Sequence, residues 1–120
     1  DWGLRVGPRL EWLRAPLVSA ERYREVAGVI DVERLHRGDW WSFTPEAGWR
    51  QYERSASTLS LSDPDLHSSY LFIAGEGFAD VGLPGSLRAR VSGSGRLEQH
   101  EDASQNATSL YFSLDLRRNF

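Results

Sequence analysis

The sequence of 120 residues contains no cysteine, which removes disulfides, thiolate metal sites and cysteine nucleophiles and leaves the redox compartment open. It has no long apolar run either. The longest uninterrupted stretch runs only from Tyr70 to Ala74, far short of the roughly 20 residues a transmembrane helix needs. A spanning strand survives that test, since it needs about ten residues of which only alternate ones are apolar. Positive charge is not in excess: 14 basic and 17 acidic residues give a net charge of -3, and nucleic acid is not an expected partner. His36 and His100 have no companion at ligand spacing, so no metal is expected. Gly75, Gly77, Gly93 and Gly95 follow no phosphate-loop spacing and no cofactor is expected; inside strands such glycines permit close packing or bending. The sequon at Asn106 is at chance level. Helical periodicity is almost absent. Its one candidate begins at Ser19 as N-cap and holds Glu21, Arg22 and Glu25. At this length residues 1–120 form a single domain.

Period two dominates the rest and predicts an all-β fold, an antiparallel up-and-down meander of about six strands. The first strand sets Leu4, Val6, Pro8, Leu10 and Trp12 against Arg5, Arg9 and Glu11. The second sets Val26, Gly28, Ile30 and Val32 against Glu25, Ala27, Val29, Asp31 and Glu33, and the third Trp41, Phe43, Pro45, Ala47 and Trp49 against Ser42, Thr44, Glu46, Gly48 and Arg50. The fourth is apolar on both sides apart from Glu76 and Asp80. Pro84 and Gly85 then fit a tight turn. The fifth alternates Leu87, Ala89, Val91 and Leu97 with Arg88, Arg90, Ser92, Ser94, Arg96 and Glu98. The last alternates Leu110, Phe112, Leu114, Leu116, Arg118 and Phe120 with Tyr111, Ser113, Asp115, Arg117 and Asn119. Pro8 and Pro45 each remove a ladder donor and imply bulges or edges.

The links after the second and fourth strands are short, while those after the first, third and fifth are longer and polar. Alternate links of a meander lie at one end, so one rim is looped and the other trimmed. The terminal Phe120, with Phe112, Leu114 and Leu116 at alternate positions behind it, resembles the C-terminal signature of bacterial outer-membrane β-barrel proteins. The loop asymmetry is similar to their short periplasmic turns and longer extracellular loops. Arg118 departs from the pattern, at a position where a long side chain can snorkel to the interface. The resemblance implies part or all of a transmembrane β-barrel in the outer membrane of a Gram-negative bacterium, surrounded by its lipids. It also implies that the barrel-assembly machinery reads the C-terminal strand. Trp2, Trp12, Trp41, Trp49 and Phe120 fall where interfacial girdles would sit. Known membrane barrels begin at about eight strands. Either residues 55–66 hold two short strands more, or the remaining strands come from the same longer chain or another copy; the start at Asp1 favours the C-terminal section of a larger barrel.

Under that resemblance the lumen-facing residues are Arg5, Arg9, Glu46, Arg50, Glu76, Asp80, Arg88, Arg90, Arg96, Glu98, Asp115 and Arg117, with Glu11, Glu25, Asp31 and Glu33 on the same side. Cross-strand ion pairs are the first use for them. A second use is an Arg88, Arg90, Arg96 ladder facing an anionic solute. His67 and Ser69 are spaced like a pair in some outer-membrane lipid A deacylases, but Glu76 falls on the opposite face and Tyr70 and Leu71 do not continue that motif. No catalytic residue is assigned and no enzyme is expected. The expected function is a pore, a transporter component or a structural module. The alternatives are a soluble calycin-like barrel, periplasmic or cytoplasmic, whose apolar face lines a cavity for a small apolar ligand, and an outer-membrane lipid-modifying hydrolase. Deleting Phe120 is expected to impair membrane assembly; unchanged insertion of the deletion variant, measured by surface labelling of cells, would count against the terminal signature.

Overall fold

The computed structural model describes residues 1–14, 21–53 and 67–118, so Ser19, the segment 55–66, Asn119 and Phe120 lie outside the described residues. Six strands follow in chain order: β1 (Trp2–Leu13), β2 (Tyr23–His36), β3 (Asp39–Tyr52), β4 (Tyr70–Leu83), β5 (Leu87–His100) and β6 (Ala107–Arg118). They form one sheet in the order β1-β2-β3-β4-β5-β6, every neighbouring pair antiparallel. The meander expected from period two is the fold. Among the described residues β1 and β6 do not pair with each other, so the sheet is open with two free edges.

Glu25, read above both as part of a short helix and as part of the second strand, lies inside β2, opposite Glu11 on β1 and Arg50 on β3. The β-branched Val26, Val29, Ile30 and Val32 favour a pleated strand, and tertiary pairing on both sides outweighs a weak local helical pattern. The β2–β3 hairpin closes through Arg37 and Gly38, both at positive φ (51° and 87°), the signature of a type I′ turn whose twist matches that of the strands. The β4–β5 hairpin closes through Pro84, Gly85 and Ser86, with φ 79° at Gly85 and 61° at Ser86. The two turns are tied: Arg88 Nη2 donates to the Gly38 carbonyl and the Gly82 N–H donates to Asp39 Oδ1, both at 2.8 Å. At the other rim, the link between β5 and β6 holds a 3-10 turn, Ala103–Gln105. Asp102 caps it, accepting from the Ser104 hydroxyl at 2.7 Å and the Ser104 N–H at 3.0 Å. Those bonds hold the Asp102 carboxyl below its ordinary range, so the cap is complete at neutral pH and is lost as acidification passes through that lowered value.

Pro8 sits on an edge strand, where a missing donor is tolerated. Pro45 lies in the interior strand β3. There the β2–β3 ladder stops at Val29–Glu46 and resumes at Val32–Phe43 with the same offset, so the proline opens a gap without the expected bulge.

The sheet is inverted relative to a water-soluble one. Val6, Leu110 and Phe112 are 72%, 73% and 74% exposed, whereas Glu25, on the opposite face, is 2% exposed. That opposite face is concave. Glu25 on β2 lies 3.6 Å from Arg96 on β5, three strands away, where a flat sheet would separate the strand axes by about 14 Å. Its packed centre is the row Ala27, Gly48 and Phe72, aligned by register across β2, β3 and β4. A Cβ on Gly48 would lie 2.5 Å from the Val26 carbonyl oxygen, 2.7 Å from Ala27 Cβ and 2.8 Å from Phe72 Cζ. The tip of the Phe72 ring thus occupies the space that a side chain at position 48 would need. Gly48→Ala is therefore expected to cost about 1–3 kcal/mol in equilibrium urea unfolding, the range for overpacking; an unchanged midpoint would show that the ring moves aside freely.

Candidate functional site: the concave face

The pleat sends alternate side chains of all six strands to the concave side, and the cross-strand registers bring them into rows. Arg5, Arg9, Glu46, Arg50, Glu76, Asp80, Arg88, Arg90, Arg96, Glu98, Asp115 and Arg117 all belong to that face by register. Phe112, Leu114 and Leu116 belong to the other and are exposed there. Phe120 lies outside the described residues.

The face divides into three zones. Toward the looped rim, Glu25 is enclosed, with its side chain 1% exposed. Arg9 Nη2 reaches its Oε1 at 2.5 Å, and Arg50 Nε donates to its Oε2 at 2.7 Å. Arg96 stands 3.6 Å from Oε2. Arg9 also holds Glu46 at 2.9 Å, which leaves Arg9 Nε buried without an acceptor among the described residues. Arg96 Nε donates to Glu98 Oε1 at 2.7 Å and its Nη2 to the Tyr70 hydroxyl at 3.2 Å. Aromatic rings wall this knot: Arg50 lies over Tyr23 and Arg96 over Phe72, each 3.9 Å from the ring centroid. Three guanidiniums thus face three carboxylates, Glu25, Glu46 and Glu98, with charge balanced.

At the trimmed rim the pairs are local. Arg88 holds Asp80 and Arg117 holds Asp115, each at 2.6 Å, and nearer the middle of the face, beside Thr44, Arg5 Nε donates to Asp31 at 2.8 Å. Asp31 also accepts from Ser42 at 3.3 Å and Thr44 at 3.2 Å. The third zone, between the two, is a groove of about 430 Å³ whose walls include Thr44, Glu76, Phe78, Arg90, Ser94 and Tyr111. The predicted arginine ladder is therefore divided: Arg88 and Arg96 are engaged by carboxylates, and Arg90 rests over the Phe78 ring at 4.3 Å.

His67 and Ser69 do not meet. His67 stacks on Tyr52 at 5.0 Å and faces Glu21 at 3.5 Å, while Ser69 Oγ accepts from the Tyr52 N–H at 3.2 Å. The Ser and His that do meet are others. Ser68 Oγ is 2.9 Å from His100 Nδ1, and His100 Nε2 is 3.3 Å from Glu98 Oε2. This order of contacts is that of a nucleophile, a base and an orienting acid. Ser68 has no exposed surface, however, and its hydroxyl and N–H also bond Gln105 Oε1 at 3.2 and 3.0 Å. Through these bonds Ser68 fastens the start of β4 to the end of β5 and to the link before β6.

Sequence reasoning missed the aromatic part of the face, Tyr23, Tyr52, Tyr70, Phe72, Phe78 and Tyr111. The available signal was the fourth strand, apolar on both sides. Among the described residues no cluster of three or more His, Cys, Asp or Glu side chains could hold a metal ion, and no helix is long and apolar enough to cross a membrane. Glu25→Gln is expected to cost about 3–5 kcal/mol in urea unfolding, because three arginines lose their shared anion in an enclosed site. Arg5→Ala, whose side chain is 74% exposed, is expected to cost under about 1 kcal/mol; equal losses would show that the knot is no more than a surface pair. Compared with family models, with curated proteins and with solved structures, the chain matches none.

Proposed function

We propose that this chain supplies strands of a bacterial outer-membrane β-barrel, with the apolar face against lipid and the concave face lining an aqueous path for small polar solutes. The observation that carries the reading is the inverted polarity of the sheet. A face bearing Leu4, Val6, Leu10, Ile30, Phe43, Leu71, Ile73, Leu110, Phe112 and Leu114, all exposed, exceeds what a protein in water ordinarily leaves uncovered. Acyl chains would cover it at no cost in unpaired polar groups. The strands of 12 to 14 residues are long enough to cross with a tilt.

The same reading makes a demand on the edges. An unpaired backbone N–H or C=O costs several kcal/mol in hydrocarbon, so β1 and β6 need partner strands. The six strands among the described residues are below the smallest known closed barrels, so in this reading the partners come from the same longer chain or from another copy. Antiparallel closure is geometrically open to either, because β1 and β6 run in opposite directions. The calycin-like alternative requires an apolar concave lining, and no observation favours it: the concave lining here is arginine, carboxylate and aromatic rings.

Trp12 and Trp49 belong to the apolar face, whereas Trp40 belongs to the concave one, 4.6 Å from Phe78. In vesicles of brominated lipid, single-tryptophan variants are expected to be quenched at Trp12 and Trp49 and not at Trp40. A chain that ignores the vesicles, remains monomeric in detergent-free buffer and unfolds cooperatively there would overturn the reading.

A further inference from the structure

Arg90 is the exception on a face where arginines are otherwise neutralised. Arg5, Arg9, Arg50, Arg88, Arg96 and Arg117 each lie within 4.0 Å of a carboxylate oxygen. Arg90 does not, among the described residues, although Asp80 and Asp115 are its direct cross-strand partners. Both carboxylates are held elsewhere, by Arg88 and Arg117. The Arg90 guanidinium instead lies over the Phe78 ring, which supports its flat face and leaves its N–H donors without an acceptor among the described residues. Glu76 is the complementary exception. It is exposed, its cross-strand partners are Thr44 and Ser94, and no cation reaches it among the described residues.

Both side chains line the groove between the two ion-paired zones. Arg90 stands four positions along β5 from Ser94, the partner of Glu76, which is about 13 Å of strand. The Arg90 guanidinium covers part of that interval, since it lies over Phe78, the partner of Ser92. Ser94 and Tyr111, in the same cross-strand row as Glu76, add hydroxyls at its end of the groove. The groove, about 430 Å³, lies in the range of small-molecule sites.

We propose that Arg90 and Glu76 form a recognition site for a zwitterionic solute of amino-acid to dipeptide size, its carboxylate bound by Arg90 and its ammonium by Glu76. The proposal rests on the pore reading above. A simple anion would gain Arg90 but be repelled by Glu76, and a simple cation would meet the reverse. Only a solute carrying both charges satisfies both side chains. The looped-rim knot offers no such opening, because its three arginines and three carboxylates neutralise one another.

The test is solute entry into vesicles reconstituted with the full chain, using glycylglycine, N-acetylglycine, glycinamide and N-acetylglycinamide as the zwitterion, anion, cation and neutral probes. Ratios between probes are taken within one preparation, so differences in the amount inserted cancel. Glycylglycine is expected to enter several-fold faster than the neutral probe. Arg90→Gln shifts the preference toward glycinamide, Glu76→Gln shifts it toward N-acetylglycine, and Arg90→Lys retains the zwitterion preference. Ratios that do not differ among the native chain, Arg90→Gln and Glu76→Gln, in vesicles that stay permeable, overturn this proposal and leave the pore reading standing. Vesicles that none of the probes enters overturn both.

Discussion

The Glu25 carboxylate joins strands that the backbone ladder alone does not bring together. Among the described residues β2 pairs by main chain only with β1 and β3, yet through Glu25 it also meets Arg96 on β5. That meeting exists only in a curled sheet. The curl in turn excludes water from the carboxylate, and an enclosed carboxylate without cations is worth several kcal/mol of destabilisation. Curvature and ion pairing therefore stand or fall together. Phe72 over Gly48 belongs to the same condition, since the ring fills the concave side between Ala27 and the arginines.

All fourteen basic residues of the chain are arginine, and the concave face makes use of what distinguishes that side chain from lysine. Arg50 bonds the Glu25 carboxylate through Nε while its guanidinium plane covers the Tyr23 ring. Arg96 serves Glu98, Glu25 and the Tyr70 hydroxyl while covering Phe72. A lysine ammonium is one compact point of charge and could not divide itself between a carboxylate and a ring face in this way. The aromatics of the concave face thus accompany the charges as platforms for them.

Much of this was legible in the sequence, for a reason tied to the pleat: a strand assigns each residue to a side by parity alone, so the two faces could be written down before any pairing was known. The trimmed rim was legible too, through Pro84 and Gly85. Three features were not. Glu21, Arg22 and Glu25 fit a helix as well as a strand locally, and the partner that decides for the strand at Glu25, Arg50, is 25 residues away. Arg88, Arg90 and Arg96 look equivalent along the chain. Which of them is left without a carboxylate depends on how Asp80 and Asp115 divide between cross-strand neighbours and arginines two strand positions or one hairpin away, and parity does not report that. Ser68 and His100 are 32 residues apart and meet because β4 and β5 align Tyr70 with His100, whereas the adjacent His67 and Ser69 are drawn to separate partners.

The order β1-β2-β3-β4-β5-β6 contains no crossover, so each strand finds its partners immediately before and after it in the chain. Two of the junctions, at Arg37-Gly38 and Pro84-Gly85-Ser86, close with almost no loop entropy to overcome, and each creates a complete hairpin from neighbouring residues. The Arg88 bond to the Gly38 carbonyl then registers one hairpin against the other at the end remote from the long β3–β4 link. In terms of contact order, no pairing among the six described strands waits for a distant segment. It can be laid down strand by strand from an existing edge, with each addition leaving a new edge of the same kind for the next.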